Sequence, residues 1–410
     1  MKGVVRQRAE LTFKHNMRNG RHGWLRLTPA YSLKLVDDSL EGISGHVHVF
    51  DPFCGTGTTA LAAIMRGHNA VALDINPFLI WFAKAKVAEY HRNSIERARD
   101  AAVGIIQDMP DPADPPPIAN IGRWWGKNAL DFLCRVKAGI DSLRMPAEKA
   151  LLLIAFCRTQ MALSNAAFNH QSMSFNDKSI HDRQLKLFSV EPDYSLQFLD
   201  DVEVVLEGAL INPSGKAEIL NVDARDCAPL SRERFDLLIT SPPYPNRMSY
   251  IRELRPYMYW LGFLQDAREA GELDWKAIGG TWGIATSLLA DWQMDKRSYL
   301  PDYLLAAIDD VARAERRHSR ILANYIAKYF VDMWKHLTSI LPVMKNGGRV
   351  YYIVGNSTFY DVLIPVERAY ADMLRKAGFS NVSVETIRKR NSKKALFEYA
   401  VTGTAQQSSC

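Results

Sequence analysis

The strongest constraint on the fold is a strand, a glycine turn, a helix and a second strand in unbroken succession between His46 and Asp74. His46-Val-His-Val-Phe50 is an apolar run of the length of a buried parallel strand, and Asp51-Pro52 ends it. In Asp51-Pro-Phe-Cys-Gly-Thr-Gly-Thr-Thr59 the two glycines, one residue apart, let the backbone turn sharply and approach a ligand closely. Thr58 to Arg66 has helical apolar spacing and stops at Gly67-His68, and Ala70-Val-Ala-Leu73 reads as a second strand closing on Asp74. Two parallel strands joined by one helix point to an α/β fold. Its ligand site is then expected outside the carboxyl ends of the strands.

The alternation continues and is twice interrupted. A helix is expected from about Phe78 to His91, and Pro110-Asp-Pro-Ala-Asp-Pro-Pro-Pro117 reads as a linker because it suits neither helix nor sheet interiors. Between residues 118 and 215 the patterns are helical, as in Ala129 to Leu143 and Ala147 to Leu163. Trp124-Trp125 read as hydrophobic anchors, and the polar stretch Asn165 to Lys186 reads as a loop. Strands resume at Ala217 to Val222, before Asp223, and at Phe235 to Ile239, before Thr240-Ser-Pro-Pro-Tyr244. A second insertion covers about 245–320. It is followed by a helix from Ile321 to Leu341, a strand Gly347 to Val354, a helix near Pro365 to Lys376, and strands near Val382 to Arg388 and Leu396 to Thr402.

The expected organisation is a cofactor-binding half over 1–117, a helical insertion over 118–215, and core strands with the catalytic loop over 216–244. A second insertion then covers 245–320 and the rest of the core 321–410. The two insertions are the candidates for target recognition.

Composition narrows the function classes. Hydrophobic residues make up 47% and charged residues 23% of the 410, the balance of a globular protein. No stretch reaches the roughly 18 apolar residues of a membrane span, so a cytoplasmic protein without membrane association is expected. The five cysteines are scattered and His46 and His48 lack a third ligand, so no metal is expected. A net charge of +6 suits a polyanionic partner.

The glycine turn lacks the third glycine of the dinucleotide pattern, and no Gly-Lys-Ser/Thr follows it, which disfavours a phosphate-bearing cofactor. Carboxylates at Asp51 and Asp74 suit instead a cationic amino-acid tail and the hydroxyls of a ribose, the chemistry of S-adenosylmethionine (AdoMet).

Asp-Pro-Phe-x-Gly-x-Gly-Thr-Thr at 51–59, with Thr-Ser-Pro-Pro-Tyr at 240–244, resembles the amino-methylating DNA methyltransferases, and the Ser-Pro-Pro-Tyr form chiefly their cytosine-N4 branch. The resemblance implies a Rossmann-like AdoMet methyltransferase fold, a mostly parallel sheet with a C-terminal antiparallel strand and, here, helical insertions. It also implies AdoMet as cofactor and double-stranded DNA as substrate, in a restriction-modification setting with a cognate restriction endonuclease as possible partner. By it Asp51, Phe53, Cys54, Gly55, Gly57 and Thr58 contact the cofactor, Asp74 with Ile75 holds the ribose, and Asp223 with Ala224 meets the adenine. Arg21-His-Gly-Trp-Leu-Arg-Leu-Thr-Pro29 is similar to the segment that closes over the methionine end, which assigns Trp24 and Pro29 to the cofactor.

Ser241 and the carbonyl of Pro242, its backbone fixed by Pro243, can accept the two hydrogens of an exocyclic amine and localise its lone pair. Tyr244 would then stack on an extruded base. Asn246, Arg247, Tyr250 and Arg252 directly follow and are candidates for ordering the loop or meeting the nucleic acid, while the basic runs 313–320 and 388–394 could neutralise phosphates. Methylation at ring carbon 5 is excluded, because its cysteine nucleophile follows a proline and the sequence has no Pro-Cys pair. Adenine-N6 methylation, RNA guanine or protein glutamine methylation, and a non-catalytic AdoMet- and DNA-binding subunit stay open as alternatives.

Overall fold

The structure, a computed structural model, describes residues 8–27, 30–167, 174–175, 193–230, 234–281, 283–295, 297–390 and 395–406. Its centre is a seven-stranded sheet of β1 (His48–Asp51), β2 (Asn69–Asp74), β3 (Ala217–Asn221), β4 (Phe235–Thr240), β5 (Met344–Gly355), β6 (Phe379–Lys389) and β7 (Phe397–Ala405), in the order β6-β7-β5-β4-β1-β2-β3. β7 alone runs against its neighbours; β1 to β5 are parallel. This is the Rossmann-like methyltransferase arrangement.

The strands are apolar on both faces because helices cover both. Val49, Ala70, Ala72, Ile219, Leu237 and Ile239 face α1 (Leu33–Leu40), α2 (Thr58–Met65) and α3 (Pro77–Val87). On the other side Phe50, Val71, Leu73, Leu238, Val350 and Tyr352 belong to a cluster with the long α-helix Ser319–Ile340 and with Val366–Ala377. The register sets the carboxyl ends level. Phe50 pairs with Leu238, Asp51 with Ala72 and Asp74 with Asn221, so the residues that end β1 to β4 emerge along one edge.

A third apolar cluster lies beside the sheet. It joins α3 to α4 (Arg92–Asp108), α5 (Lys127–Asp141), α6 (Pro146–Ala162) and α7 (Tyr194–Ala209), and includes residues of α8 (Tyr250–Trp260). The sequence reading ran one helix to His91, whereas α3 stops at Val87, His91 is extended (φ −80°, ψ 148°), and a separate helix begins at Arg92. Ile95, Ala98, Ala102 and Ile105 make the buried stripe of α4, so the bundle starts ahead of the proline-rich segment. Trp124 and Trp125 are buried anchors, with the Trp125 indole donating to Gln160 O at 2.7 Å. Of the expected loop 165–186, Ala166–Ala167 pairs antiparallel with Ser174–Phe175; residues 168–173 and 176–186 lie outside the described residues. Ser357–Phe359 and Val362–Ile364 form a short hairpin that the sequence reading did not anticipate.

Arg21 ties this bundle to the sheet. Its guanidinium, 3% exposed, donates to Lys86 O at 2.9 Å and to Ala88 O at the end of α3, and to Gly208 O (3.1 Å), Ala209 O (3.2 Å) and Asn212 Oδ1 (2.8 Å) at the end of α7. A cation at two helix C-termini satisfies carbonyls that helices leave unpaired and meets the negative ends of both dipoles. Beside it Trp24, fully buried, donates its indole N–H to Val205 O at 3.1 Å. Replacing Arg21 with alanine strands several buried acceptors and is expected to lower unfolding free energy by at least about 3 kcal/mol, read as an earlier urea midpoint; an unchanged midpoint would refute the clamp.

Candidate active site

The carboxyl edge of the sheet opens into a cavity of about 1120 Å³. Pro52 to Thr56 of the glycine turn form one wall, and Ser241 to Tyr244 of the Ser-Pro-Pro-Tyr loop form another. The two motifs recognised in the sequence therefore share one chamber.

The glycine turn is fixed by its own backbone. Cys54 N donates to Leu73 O at 2.7 Å and Gly57 N to Cys54 O at 2.8 Å, while Gly55 (φ +50°) sends its N–H to Asp74 Oδ2 at 2.9 Å. Gly57 sits at φ +73°, and a Cβ there would lie 3.0 Å from the Ala83 methyl, so both conformation and close approach to α3 require glycine. From beneath, the buried Lys86 donates Nζ to Thr56 O at 2.8 Å, and burial pushes its pKa down to about 7.

Asp74 lines the cavity with Ile75 and accepts from the N–H groups of Gly55 and, at 2.8 Å, Asn76. Asp51 does not reach the wall. It is 1% exposed, and Oδ1 accepts from Thr240 Oγ1 at 2.6 Å and Phe53 N at 3.1 Å, with the Tyr31 hydroxyl at 3.4 Å from Oδ2. Burial raises both carboxyls, each to about 6, and neither forms an ion pair among the described residues. A carboxylate without an ion pair in the wall at Asp74, with Asp51 buried behind it, favours a cation and hydroxyl donors over phosphate.

Asp223 and Ala224 also line the cavity. Arg225 grips Asp223 through Nε at 3.0 Å and Nη2 at 2.6 Å; burial pushes that carboxyl up, but the hydrogen bonds and charge of Arg225 outweigh it and hold it below its usual range. Ala224 O receives His336 Nδ1 at 2.8 Å, and the other ring nitrogen meets the Tyr352 hydroxyl at 2.8 Å. Burial pushes His336 down to about 4, so it is neutral at pH 7: Nδ1–H donates and Nε2 accepts. Its ring lies edge-on to Phe53, centroids 4.8 Å apart, and so braces two cavity residues at once.

In the Ser-Pro-Pro-Tyr loop the Ser241 hydroxyl donates to Ile353 O at 3.1 Å. With its hydrogen directed to β5, its lone pairs are left to accept. Tyr244 N–H points to the Tyr250 hydroxyl at 3.4 Å, and Tyr244 OH donates to Glu398 Oε1 at 2.8 Å.

Several assignments from the sequence are redrawn. Trp24 belongs to the helical core and is absent from the cavity wall; its segment contributes Arg26 and Leu27 instead. Pro29 lies outside the described residues. Gly57 and Thr58 stand behind the wall, with Thr58 Oγ1 3.0 Å from Thr56 Oγ1. Asn246 and Tyr250 line the cavity, but Arg247 and Arg252 do not. Arg247 is exposed, its backbone held by Tyr325 at 3.2 Å, and Arg252 leaves Nε buried without a hydrogen-bond partner. β1 starts at His48, not at His46 as expected; His46, ahead of the strand, holds Nδ1 at 2.8 Å from Gly67 O, and the His48 ring lies against Phe235.

The sequence reading missed Tyr31, Leu254, His336 and Glu398, which are scattered singly over four elements. Of the two basic runs, Arg388 and Arg390 reach the cavity, residues 391–394 lie outside the described residues, and 313–320 does not form cavity wall.

Residues 33–105 match the family described as D12 class N6 adenine-specific DNA methyltransferase. The chain is 21% identical to the Type II methyltransferase M.BsoBI of Geobacillus stearothermophilus, over 95% of this chain and 85% of that one. It is 22% identical to the Type II methyltransferase M.MvaI of Kocuria varians, over 80% and 74%. Among solved structures, the rRNA methyltransferase aviRa from Streptomyces viridochromogenes aligns over 96% of each chain at 11% identity with a TM-score of 0.33, too loosely for the sites to be compared. The chain is thus similar to D12 class N6 adenine-specific DNA methyltransferases over the segment 33–105 that holds the glycine turn, and to Type II methyltransferases over most of its length. These likenesses imply AdoMet as the methyl donor.

Replacing Thr240 with valine removes one donor from buried Asp51. The Asp51 pKa should then rise further above about 6, read by carbon NMR titration, and stability at pH 8 should fall by about 1–2 kcal/mol. An unmoved titration would show that the contact does not hold the carboxylate.

Proposed function

We propose that the protein is a site-specific DNA methyltransferase that methylates the exocyclic N4 amine of cytosine, extruded from duplex DNA into the cavity. The observation that carries the reading is the sharing of one chamber by the glycine turn, the carboxylate of Asp74 and the Ser-Pro-Pro-Tyr loop. Gly55, Phe53, Asp74 and Asp223 would hold AdoMet, and Asp51 would act from behind the wall. When bound, AdoMet supplies an electrophilic methyl group on a sulfonium.

The chain's own residues prepare the nucleophile. An amine conjugated with a heterocycle donates its hydrogens readily and its lone pair poorly. Ser241 Oγ, committed as donor to Ile353, accepts one amine hydrogen, and the carbonyl of Pro242 accepts the other. Tyr244 and Tyr250 flank the place for the base, which must leave the stack because its reacting atom is inaccessible in the duplex. Exposed Lys14, Arg26 and Lys276 at the cavity edge suit the phosphates on either side of it.

Among the described residues, 92–215 contribute nothing to the cavity wall, whereas 245–278 contribute Asn246, Met248, Tyr250, Ile251, Leu254 and Lys276 to Ile278. Base-proximal recognition therefore falls to the second insertion, and the first block is left to reach DNA farther out or to serve packing. The likeness to Type II methyltransferases favours a restriction-modification setting with a cognate endonuclease. No helix among the described residues is long and apolar enough to cross a membrane.

The match to D12 class N6 adenine-specific enzymes favours a second reading with the same mechanism, methylation of adenine N6. Labelled-methyl transfer to DNA, followed by digestion and mass spectrometry of nucleosides, separates the two. N4-methylcytosine is expected, N6-methyladenine would replace the target base, and transfer only to RNA or protein would overturn the proposal. Ser241→Ala should lower kcat by about a hundredfold with AdoMet affinity kept; full activity would remove Ser241 from the chemistry.

Cofactor affinity should depend on pH through Asp74. With a pKa of about 6 in the unliganded protein, its ionised fraction is roughly tenfold smaller at pH 5 than at pH 7, and calorimetry should find AdoMet bound about tenfold more weakly. Because burial raises this pKa, the group's contribution to the stability of the unliganded protein grows as pH falls from about 6 toward 4, the opposite sign to the cofactor effect. A flat affinity profile would argue against a cation-seeking site.

A further inference from the structure

Tyr244 is held from three directions by groups the transfer chemistry does not use. Its hydroxyl donates to Glu398 Oε1 at 2.8 Å, and Arg388 in turn fixes that carboxylate through Nε at 2.7 Å to Oε2 and Nη2 at 3.3 Å to Oε1. The Arg390 guanidinium lies over the tyrosine ring, 4.9 Å from its centroid, and is itself tethered by Nη1 to Asn356 O at 2.9 Å. The ring edge abuts β5: a Cβ on Gly355 would fall 2.9 Å from Tyr244 Cε2 and 2.3 Å from Arg390 Nη1. Glu398 is only 5% exposed, although it borders the cavity.

We propose that Glu398 is a positioning residue that, with Arg388 behind it and Arg390 on one ring face, locks Tyr244 so that its remaining face forms a preset stacking platform for a planar heterocyclic base. The proposal rests on the methyltransferase reading of the cavity. A ring on a bare loop would have to be immobilised when the base arrives, and prior immobilisation removes that entropic cost from binding. Arg390 already covers one face, so stacking is confined to the other. Burial, followed by the negative charge of Glu398, raises the Tyr244 phenol well above its usual range, so it stays protonated and remains the donor of the tether. A carboxylate so fully taken up by Arg388 and the phenol has no call on the base itself, which separates a positioning role from a catalytic one.

The test is a double-variant cycle of Tyr244→Phe and Glu398→Ala. It is read by kcat and KM for methyl transfer to duplex DNA, and by the fluorescence of 2-aminopurine at the target position. Each single variant should lower kcat/KM about tenfold and reduce the fluorescence rise, while the pair should be no worse than either alone, because both remove one tether. Glu398→Gln, which keeps an acceptor oxygen, should recover part of the loss. AdoMet affinity should stay within about twofold throughout and reports an intact fold.

In parallel, 3-fluorotyrosine at position 244 is followed by fluorine NMR in the unliganded chain, where Glu398→Ala should move its resonance toward that of an exposed tyrosine. Additive losses in the cycle, or a resonance indifferent to Glu398, would overturn the positioning role. A parent protein that transfers no methyl group to DNA, yet shows the fluorine shift, would instead overturn the methyltransferase reading and leave the tether standing.

Discussion

One buried contact joins the two halves of the chemistry: the Thr240 hydroxyl donates to the carboxylate of Asp51 at 2.6 Å. Asp51 is the last residue of β1 and opens the glycine turn; Thr240 is the last residue of β4 and precedes Ser241. Since β1 and β4 are neighbours in the sheet, one hydrogen bond fixes the separation of the glycine turn and the Ser-Pro-Pro-Tyr loop, which lie far apart in the chain. Both ends are almost fully buried, so water does not compete for either partner. The carboxylate that looks, by its motif, like a ligand contact thus does structural work first, and its negative charge reaches the cavity from behind.

Charge is layered around that clasp. Asp74 in the wall and Asp51 behind it are both raised by desolvation, and the edge carries exposed cations at Lys14, Arg26 and Lys276. A cation and a polyanion are therefore favoured at different depths of one chamber, before any specific contact forms. His336, kept neutral, serves Ala224 and Phe53 with one ring and adds no charge.

The sheet was legible because parallel strands buried on both faces appear as short apolar runs that end in polar residues, as at Phe50-Asp51, Leu73-Asp74 and Ile239-Thr240. The short hairpin 357–364 was not. Its turn residues Tyr360 and Asp361 adopt φ +47° and +67°, positions usually marked by Asn or Gly, so no turn signal stood in the sequence. The boundary between α3 and α4 was lost for a similar reason: Glu89-Tyr-His-Arg92 carries no glycine or proline to mark the break. In the site, residues contiguous with a motif were found, and those contributed singly by other elements were missed. Glu398 and His336 become meaningful only when β7 and the helix Ser319–Ile340 are brought beside the loops they support. The Arg21-to-Pro29 segment shows the converse, since a likeness in local sequence pointed Trp24 at the cofactor when the fold uses it as core.

β3 closes the outer edge of the sheet, and the whole excursion from β2 through the helical bundle returns to that edge. Lengthening a connection between fixed ends adds little closure entropy, and among the described residues none of 92–215 lines the chamber. The bundle also packs against α8, where Trp260 meets Trp125 and Phe156, and α8 carries the cavity residues Ile251 and Leu254. Its outer parts can therefore drift in size through evolution while the chamber stays still only if that contact and the Arg21 rivet between the ends of α3 and α7 are both kept. An engineer seeking to trim or graft onto this protein would cut away from both.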